Sequence, residues 1–567
     1  MKTASAFLLS ALVLVWACLP NFAAPQLEPD DYRYLSICQD LEAGKPEAFE
    51  RSLVIENRWD HLWWVDVDGA IRFFRPLISW SYLLDRALFG EGAFGHLLAN
   101  LSYHLACLGL LLLLVRRWFG PSLSIGLAAG LPFAAAFCHG EVLWYVAGRT
   151  DTLAAFFFLL TIRLHSGTSK ATTIAAPIAF FLAVLTKETA VFLPLVLWLL
   201  ESRVEGRPPL ARPRLWISYL GAFLLWLGLR TWVLSGIPDA GWIRPYFFDP
   251  LGKGFLPHVG TALASYLANL SLAVPTDPFL EPSRVFARPW SLVGLFLGLG
   301  LLWILYAAGR RTRLGLPAWW LAGATLLPTL PAYVSERYLY LPTAAFALLL
   351  AAGFAKLRSR PAAPWTILSF LLLFLWTGHQ AVALEAKQRW IGNPPEGAAR
   401  WGVRARETLL PWKDRVPEGR TLLLLDFPGD WLAAQFLAEI LRVQWKRPDL
   451  DLRILTPLPR IRNLGRGLLV SREGRKTLRL RSEFPAVLRE TDGFPWLPLE
   501  PGTRRERPRA GLSVEILEAD GMAAFDLKFH LDRDLRDCVL LRFVPSGDPK
   551  LHPRIRIDRG GFRRVRL

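Results

Sequence analysis

The chain has 567 residues, of which 53% are hydrophobic, and it carries a formal net charge of +18. This composition excludes a single soluble domain, because apolar stretches recur at the spacing of membrane spans. The five cysteines are scattered with no paired spacing, which excludes a disulfide framework and a cysteine zinc site.

The first apolar segment runs from Ser5 to Ala24 behind a single Lys2. The small residues of "NFAAP" fit a signal-peptide cleavage point, so the segment is either a cleaved signal peptide or a retained first span. Its length of about 20 residues, ahead of a polytopic chain, favours retention. In both cases Pro25 emerges outside the cytoplasm.

Ten further apolar segments predict membrane helices, which gives about eleven crossings in all. They cover residues 95–115, 121–138, 151–163, 172–186, 188–201, 214–235, 289–308, 316–331, 337–355 and 364–384. Lys and Arg concentrate in alternate short loops, as the positive-inside rule requires for a cytoplasmic amino terminus. The alternation holds only if residues 258–275 do not cross, so we expect a re-entrant or interfacial helix there. Residues 76–90, "PLISWSYLLDRALFG", are too short to span and predict a second interfacial helix.

The fold class expected is therefore a polytopic α-helical membrane protein with a soluble carboxyl-terminal domain. Residues 1–385 form the predicted membrane domain, whose first outer loop covers residues 25–94. Residues 386–567 form a basic extracytoplasmic domain. We predict a multi-pass protein of the bacterial cell membrane whose amino terminus lies on the cytoplasmic side.

The carboxyl-terminal domain is predicted to be α/β and then β-rich. "RTLLLLDFPGDWLAAQFLAEILRVQWKRPDLDLRILTPL" predicts strand, helix and strand. "KTLRLRSE", "LSVEILEAD", "AAFDLKFHL", "CVLLRFV" and "PRIRIDR" predict strands. No repeat of about 34 residues is present. The Arg-rich surface is explained more simply as a solvated face than as a contact for anionic lipids or an acidic partner, and no nucleic-acid motif occurs.

Two adjacent carboxylates, Asp30 and Asp31, follow the first span. After Pro29 such a pair serves as a helix N-cap. A carboxylate that is partly desolvated at the membrane surface also makes a general base for a hydroxyl group.

Further polar residues fall beside or within the following spans. Arg75 precedes the helix predicted at 76–90, and His96, Asn100 and His104 recur every four residues on one face of a span. Such a stripe faces a bundle interior or a cavity, or holds two helices together. His96 lies nearest the outer surface and is the functional candidate.

Three more groups of ionisable residues lie at outer helix ends. They are His139, Glu141, Arg149 and Asp151 in "HGEVLWYVAGRTD", Lys187 and Glu188 in "LTKETAVFLPL", and Glu336, Arg337 and Tyr338 in "PAYVSERYLYLPT". A salt bridge at a helix end is the simpler explanation of any one pair. Asp151 is predicted to cap the next span and to orient Arg149. Because the topology collects all of them on one face, they suit a substrate that carries a phosphate at the interface.

Four stretches resemble the successive motifs of a known family. They are "RPLISWSYLLDRALFGEGAFGHLLANLSYHLACLGLLLLLVRR", "HGEVLWYVAGRTDTLAAFFFLL", "LTKETAVFLPLVLWLLE" and "SERYLYLPTAAFALLLAAG". They are similar to the transmembrane O-mannosyltransferases with tetratricopeptide repeats, which belong with the protein O-mannosyltransferases to the C-type integral-membrane glycosyltransferase superfamily. The likeness covers roughly residues 25–355.

The resemblance implies an inverting transferase that moves a mannose-like sugar from a polyprenyl-phosphate carrier to an acceptor hydroxyl of a protein, lipid or glycan, on the extracytoplasmic face. It implies that Asp30 or Asp31 is the base. The predicted donor phosphate- and substrate-binding residues are Arg75, His96 and the residues of the outer helix ends. A nucleotide-sugar loop and a dense His or Cys set are absent from the sequence, so no cofactor is expected; a divalent metal is not required, although one that bridges Asp31 and Glu141 stays open.

The chain departs from the family at two places. Ala136 and Phe137 stand where the family usually has His-Pro, and the basic domain replaces the repeats, which leaves the acceptor open. Two other functions compete with transfer. A lipid-linked sugar transporter or flippase should show internal repeats, which are not evident, and a non-catalytic scaffold would not need the acidic pair.

Overall fold

The computed structural model describes most of the chain. The described ranges are 1–58, 62–65, 69–208, 210–242, 246–276, 289–310, 312–358, 364–392, 408–427, 431–456, 469–482, 487–488, 499–507, 511–520, 523–545 and 560–565. Two compact units are present. The membrane unit comprises Met1–Leu27, Phe74–Leu234 and Pro245–Asn393, and the sheet unit comprises Glu28–Phe73, Ser235–Arg244 and Pro394–Leu567.

Helices make up the membrane unit, and three further helices belong to the sheet unit. In chain order they are α1 Lys2–Ala23, α2 Pro29–Glu42, α3 Pro46–Leu53, α4 Pro76–Phe89, α5 Ala93–Phe119, α6 Leu123–Ala135, α7 Gly140–Trp144, α8 Arg149–His165, α9 Lys170–Thr186, α10 Leu193–Arg203, α11 Pro213–Leu234, α12 Phe255–Leu272, α13 Pro289–Gly309, α14 Gly315–Leu326, α15 Tyr340–Arg358, α16 Pro364–Gly392 and α17 Trp431–Trp445. Each of the eleven predicted spans contains one of these helices.

The described helices include six that are long and apolar enough to cross a membrane, or seven if the bent pair at 123–144 is one span. The count of about eleven crossings stays a prediction. Helices α10 and α14 are shorter than the predicted spans because 3-10 turns replace part of each, at Glu188–Phe192 and Leu327–Thr329, and α8 and α9 have only 17 residues each. These helices establish a polytopic helical membrane protein. Helix α12, in the segment predicted not to cross, is not among these six or seven helices. Helix α4 forms within residues 76–90, where a short interfacial helix was predicted.

A sharp bend follows α6 and positions "HGEVLWYVAGRTD", residues 139–151, which we call the central motif. Pro132 lies inside α6, and Ala136 leaves the helical conformation at φ −58° and ψ 125°. The chain then turns by 47° into the helical segment Phe137–Trp144. A Cβ on Gly148 would lie 2.9 Å from Val142 Cα, so only glycine allows the chain to fold back this closely before α8 begins.

The sheet unit contains the strands of two larger sheets and one strand pair. In chain order the strands are β1 Val54–Arg58, β2 Ala70–Phe74, β3 Thr421–Leu425, β4 Asp451–Ile454, β5 Leu469–Arg472, β6 Thr477–Arg481, β7 Val487–Leu488, β8 Arg504–Arg507, β9 Leu512–Ala519, β10 Ala523–Leu531, β11 Cys538–Pro545 and β12 Gly560–Arg564. One sheet has the order β12-β11-β3-β4, with β3 parallel to both neighbours. The other has the order β5-β6-β10-β9-β8 and is antiparallel.

The predicted strand, helix and strand of this unit are confirmed as β3, α17 and β4. Four of the five later strands are confirmed as well, and "PRIRIDR", residues 553–559, lies outside the described residues. Residues 28–73 join the unit through long-range contacts. Trp63 Nε1 donates to Leu455 O at 2.7 Å, and Gln444 Nε2 donates to Tyr32 Oη at 2.8 Å. The unit therefore includes part of the predicted outer loop 25–94 besides residues beyond 385.

Candidate functional site

The acidic pair lies at the start of α2, in the sheet unit. Asp31 is fully buried, and its Oδ2 accepts a hydrogen bond from the Glu28 backbone N–H at 2.7 Å, while the Glu28 side chain accepts from the backbone of Asp31. In this reciprocal capping box Glu28 is the N-cap and Asp31 is the third helical residue, so Asp31 caps the helix from its first turn and is not the N-cap itself. Asp30 is half-buried in the first turn of the helix. The two carboxylates therefore have different surroundings.

Glu28 is a third carboxyl group at this helix end. It is 9% exposed. Burial, together with the negative charges of Asp31 and Asp30, raises its pKa to about 8. A proton on Glu28 at neutral pH limits the negative charge that gathers beside Asp30.

All other predicted site residues lie in the membrane unit, where Arg149 occupies an enclosed position at the start of α8. Its guanidinium is fully buried and lies 2.6 Å from Asp85 Oδ2 and 4.3 Å from the Tyr82 ring centre. It also donates to Ser81 Oγ at 3.2 Å, Asn100 Oδ1 at 3.1 Å, and the carbonyls of His96 and Val146 at 3.3 Å. Arg149 thus fastens α8 to α4 and α5.

The surroundings of Asp85 correct two predictions made from the sequence. The hypothesis that Asp151 orients Arg149 is wrong, because Asp85 does so and Asp151 pairs with Lys187. His96, the predicted functional member of the polar stripe, is fully buried, and its Nδ1 lies 3.2 Å from Asp85 Oδ2. Asn100 of the same stripe donates to the carbonyls of Val142, Tyr145 and Val146 at 3.2–3.3 Å, which holds the folded-back chain in place.

Lys187 lies at the centre of the predicted outer residues. Its ammonium forms an ion pair with Asp151 and lies 5.2 Å from the Tyr338 ring centre. Burial lowers the pKa of Lys187; the nearby Arg75 and Arg337 lower it too, and Asp151 opposes them. Arg337 also lies over the Tyr338 ring, at 5.7 Å, and Arg75 pairs with Glu188, the residue that follows Lys187. We call Arg75, Lys187 and Arg337 the cation cluster.

Arg75 and Glu188 form the second ion pair at this site. Both Nε and Nη2 of Arg75 donate to Glu188 Oε2, at 2.9 Å and 2.6 Å. The Arg75 side chain is 15% exposed and that of Glu188 is 23% exposed. The pair joins the residue before α4 to the turn after α9, and it stays accessible to solvent.

Glu141 and Arg337 form the loosest ion pair of the site. Arg337 Nε lies 3.8 Å from Glu141 Oε1. Both Glu141 oxygens also accept from Ser335 Oγ, at 3.0 Å and 2.8 Å, and Oε2 accepts from the Arg337 backbone N–H at 3.3 Å. The Arg337 guanidinium contacts the Tyr333 hydroxyl, with the Tyr333 and Tyr338 ring centres 5.6 Å and 5.7 Å away. The central motif is thereby joined to Glu336, Arg337 and Tyr338, which we call the Glu-Arg-Tyr motif.

Glu336 is nearly buried and points away from this pair. It forms an ion pair with Lys387 of α16, and its Oε1 accepts from the Thr276 backbone N–H at 3.1 Å. His139 is fully buried. Its Nε2 lies 2.7 Å from Thr343 Oγ1, and its ring packs 4.5 Å from that of Tyr340 and 5.0 Å from that of Phe133.

The proton arrangement at His139 follows from Thr343. The Thr343 hydroxyl donates its one hydrogen to Tyr340 O at 2.6 Å, so it accepts from His139 Nε2–H. His139 is thus held between α15 and the bend by contacts to aromatic rings and Thr343.

Sequence reasoning missed four residues of this arrangement: Asp85, Tyr333, Ser335 and Lys387. Asp85 had a signal, because Ile78, Ser81, Tyr82 and Asp85 recur at helical spacing and share the buried face of α4. Throughout the described residues there is no group of three or more His, Cys, Asp or Glu arranged to hold a metal ion.

No family model matches the chain. A 119-residue stretch is 29% identical to the protein O-mannosyl-transferase TMTC2 of Mus musculus and 30% identical to that of Xenopus laevis. The stretch covers 20% of this chain, and the chain spans only 14% of the length of these curated relatives.

Solved structures give weaker likenesses. ArnT from Cupriavidus metallidurans in the apo state has a TM-score of 0.48 at 17% identity, over 79% of this chain and 89% of that one. The Archaeoglobus fulgidus oligosaccharyltransferase has a TM-score of 0.44 at 12% identity, over 79% of this chain and 62% of that one. The alignment with the curated proteins confirms the resemblance found in the motifs: over that stretch the chain is similar to proteins named protein O-mannosyl-transferase TMTC2.

Proposed function

We propose that the chain is an inverting glycosyltransferase that moves a mannose-like sugar from a polyprenyl-phosphate carrier to an acceptor hydroxyl. The observation that carries this proposal is the cation cluster: Lys187 and Arg337 share the Tyr338 ring, and Arg75 pairs with Glu188, the residue next to Lys187. Charges of one sign gathered in a partly exposed place suit an anionic ligand. The similarity to proteins named O-mannosyl-transferases supports sugar transfer and a mannose-type donor.

The ion pairs of the cluster explain how a phosphate would enter. Arg75, Lys187 and Arg337 each have a carboxylate partner, so a phosphate competes with those partners. Arg337 changes partner most readily, because its contact with Glu141 is long and its side chain is 20% exposed. When the guanidinium turns to a phosphate, Glu141 keeps its hydrogen bonds from Ser335 and from the Arg337 backbone. No buried carboxylate is then left without a partner.

Arg149 has a different role in this proposal. Its guanidinium is committed to Asp85 and to the carbonyl and side-chain oxygens around it. We assign it to positioning α4, α5 and α8, and we assign phosphate binding to the three cations of the cluster. Asp151 and Glu188 then hold Lys187 and Arg75 in the directions from which they meet the phosphate.

The proposed base is Asp30. Asp31 is occupied as a cap, whereas Asp30 is half-buried at the same helix end. In the proposed step the acceptor oxygen attacks the anomeric carbon, its proton passes to the Asp30 carboxylate, and the bond between the anomeric carbon and the phosphate oxygen breaks. The negative charge that grows on the departing polyprenyl phosphate is stabilised by the cation cluster. Attack opposite the leaving group inverts the anomeric configuration.

The topology expected from the loop charges puts this reaction on the extracytoplasmic face of a cell membrane, and we propose a bacterial membrane. The lipid carrier would remain in the bilayer while its sugar is transferred at the surface. The proposal requires no metal ion.

The test is to purify the full chain in detergent, supply a panel of polyprenyl-phosphate sugars, and measure the release of lipid phosphate with a hydroxyl acceptor. We expect release from one donor and a product of inverted anomeric configuration. We also expect Arg337→Gln to raise the donor KM at least tenfold, while Arg389→Gln, at a side chain that is 74% exposed, leaves it unchanged. Folded protein that releases no lipid phosphate from any donor, or that only moves intact donor across a vesicle membrane, would contradict the proposal.

A further inference from the structure

Helix α16 presents one polar stripe to the site. Gln380, Leu384, Lys387 and Gln388 recur at helical spacing, and each of them is at least partly buried although neighbouring residues of the helix face outward. These residues lie outside every motif that the sequence analysis singled out. Polar groups on the inward face of a membrane helix cost free energy unless they have a partner, so their partners indicate what the helix does.

The stripe contacts the bend after α6 at Phe137 and the central motif at Gly140. Gln380 Oε1 accepts from the Phe137 backbone N–H at 3.0 Å, and Gln388 Nε2 donates to Gly140 O at 3.1 Å. The Lys387 ammonium lies 4.8 Å from the Phe137 ring centre. A Cβ on Gly140 would lie 2.9 Å from Lys387 Cδ, so the lysine stem packs directly on the glycine backbone.

The same lysine also contacts the Glu-Arg-Tyr motif. Its ammonium pairs with Glu336, whose side chain is 4% exposed. Glu336 immediately precedes Arg337, the member of the cation cluster with the loosest ion pair. Lys387 thus touches the bend that carries Glu141 and the turn that carries Arg337, which are the two sides of the Glu141–Arg337 pair.

We propose that Lys387 is a positioning residue that sets the place of Arg337 through Glu336, and that α16 holds the central motif and the Glu-Arg-Tyr motif in register for binding of the donor phosphate. This inference rests on the proposed function for the identity of the ligand. Without the ammonium, Glu336 becomes a nearly buried carboxylate that has lost its cation. Such a group moves toward water or takes up a proton, and either change displaces the turn that ends in Arg337.

The experiment uses five variants of the full chain in detergent: Lys387→Met, Lys387→Arg, Glu336→Gln, the double variant that combines Lys387→Met with Glu336→Gln, and Arg389→Ala. The probe is polyprenyl phosphate without a sugar, and its Kd is measured together with the melting temperature of each variant. Lys387→Met keeps the stem length and removes the charge. The double variant removes both charges, so no unpaired carboxylate is left. Arg389 is the matched control, because it is a cation two residues away whose side chain is 74% exposed.

We expect Lys387→Met to weaken binding of polyprenyl phosphate at least tenfold. The double variant should bind within about threefold of Glu336→Gln, because Lys387 acts through Glu336 and its removal changes little once the carboxylate is gone. Lys387→Arg should restore most of the affinity, and Arg389→Ala should bind like the wild type.

Two results would overturn the inference: wild-type affinity in Lys387→Met, or a double variant whose loss equals the product of the two single losses. If Lys387→Met fails to fold, the comparison of the double variant with Glu336→Gln decides. A wild-type protein that does not bind polyprenyl phosphate contradicts the proposed function itself. In that case the melting temperatures of the wild type, Lys387→Met, Glu336→Gln and the double variant still test the link between Lys387 and Glu336. Non-additive changes in melting temperature would support the link, and additive changes would refute it.

Discussion

Lys187 forms its ion pair with Asp151, and this contact joins the turn after α9 to the first turn of α8. Lys187 is the most buried of the three cations in the cluster. Its neighbours Arg75 and Arg337 disfavour the positive charge on Lys187, and Asp151 favours it.

The first prediction separates the structural and the functional contribution of this pair. Lys187→Met leaves Asp151 as a buried charge without its partner, which should cost about 3–5 kcal/mol of unfolding free energy. The double variant Lys187→Met/Asp151→Asn removes both charges and should recover most of that loss. Its donor KM should stay at least tenfold above that of the wild type, because the phosphate contact is still missing. A double variant with wild-type kinetics would show that Lys187 does not bind the donor phosphate.

The second prediction compares Arg149, which is fully buried, with Arg75, which is partly exposed. Arg149→Met strands the buried Asp85 carboxylate and should destabilise the protein by about 3–5 kcal/mol, as measured by thermal unfolding in detergent. Arg149→Lys should also be destabilising, because an ammonium cannot reproduce the several directed contacts of the guanidinium. Arg75→Met breaks a more accessible pair and should cost about 1 kcal/mol or less, while it raises the donor KM. Equal melting temperatures for Arg149→Met and Arg75→Met would contradict the prediction that the buried arginine contributes more to stability than the exposed one.

The third prediction is a dependence of stability on pH. The pKa of Glu28 is raised to about 8 in the folded protein, so between its unfolded value and pH 8 the folded state binds more protons than the unfolded state. Stability from this group is therefore fully present at low pH and is lost as the pH rises, with a slope of at most about 1.4 kcal/mol per pH unit. The melting temperature of the wild type should fall relative to that of Glu28→Gln between pH 5 and pH 8. Parallel curves for the two proteins would rule out a raised pKa at Glu28.

The fourth prediction concerns membrane topology. If α12 does not cross the bilayer, cysteines introduced by Lys253→Cys and Pro275→Cys at its two ends should react with an impermeant reagent from the same side. The background of native thiols is small, because four of the five native cysteines are buried. Labelling of the two positions from opposite sides would make α12 a span and would reverse the orientation expected for all later segments.

Local patterns in the sequence predicted the helices of the membrane unit and most strands of the sheet unit. Apolar length and helical or alternating periodicity are properties of the chain itself. The number of crossings was harder to predict, because the ends of α10 and α14 depend on 3-10 turns that composition does not reveal. The place of residues 28–73 in the sheet unit was also hidden, since it depends on contacts such as Trp63 to Leu455 that span 392 residues.

The candidate site shows the same limit. The sequence identified charged residues at the outer helix ends, but it did not pair them. Asp151 was expected beside Arg149, which lies two residues away, and instead it reaches Lys187 across 36 residues. Asp85 was overlooked because its helix was interpreted as interfacial, although its spacing from Ser81 and Tyr82 indicates a buried face. Lys387 was overlooked because it lies at the end of an apolar span, where lysines commonly extend to solvent.

The most direct test of the account is the rate of lipid-phosphate release by the wild type, Asp30→Asn and Asp40→Asn, with the donor and acceptor found in the panel. Asp40 is the matched control, since it lies on the same helix and pairs with Lys45 and Arg51. If Asp30 is the base, Asp30→Asn should lower kcat by about 10²–10⁴-fold while it binds polyprenyl phosphate and melts like the wild type, and Asp40→Asn should keep wild-type activity. Wild-type kcat in Asp30→Asn would contradict the central claim.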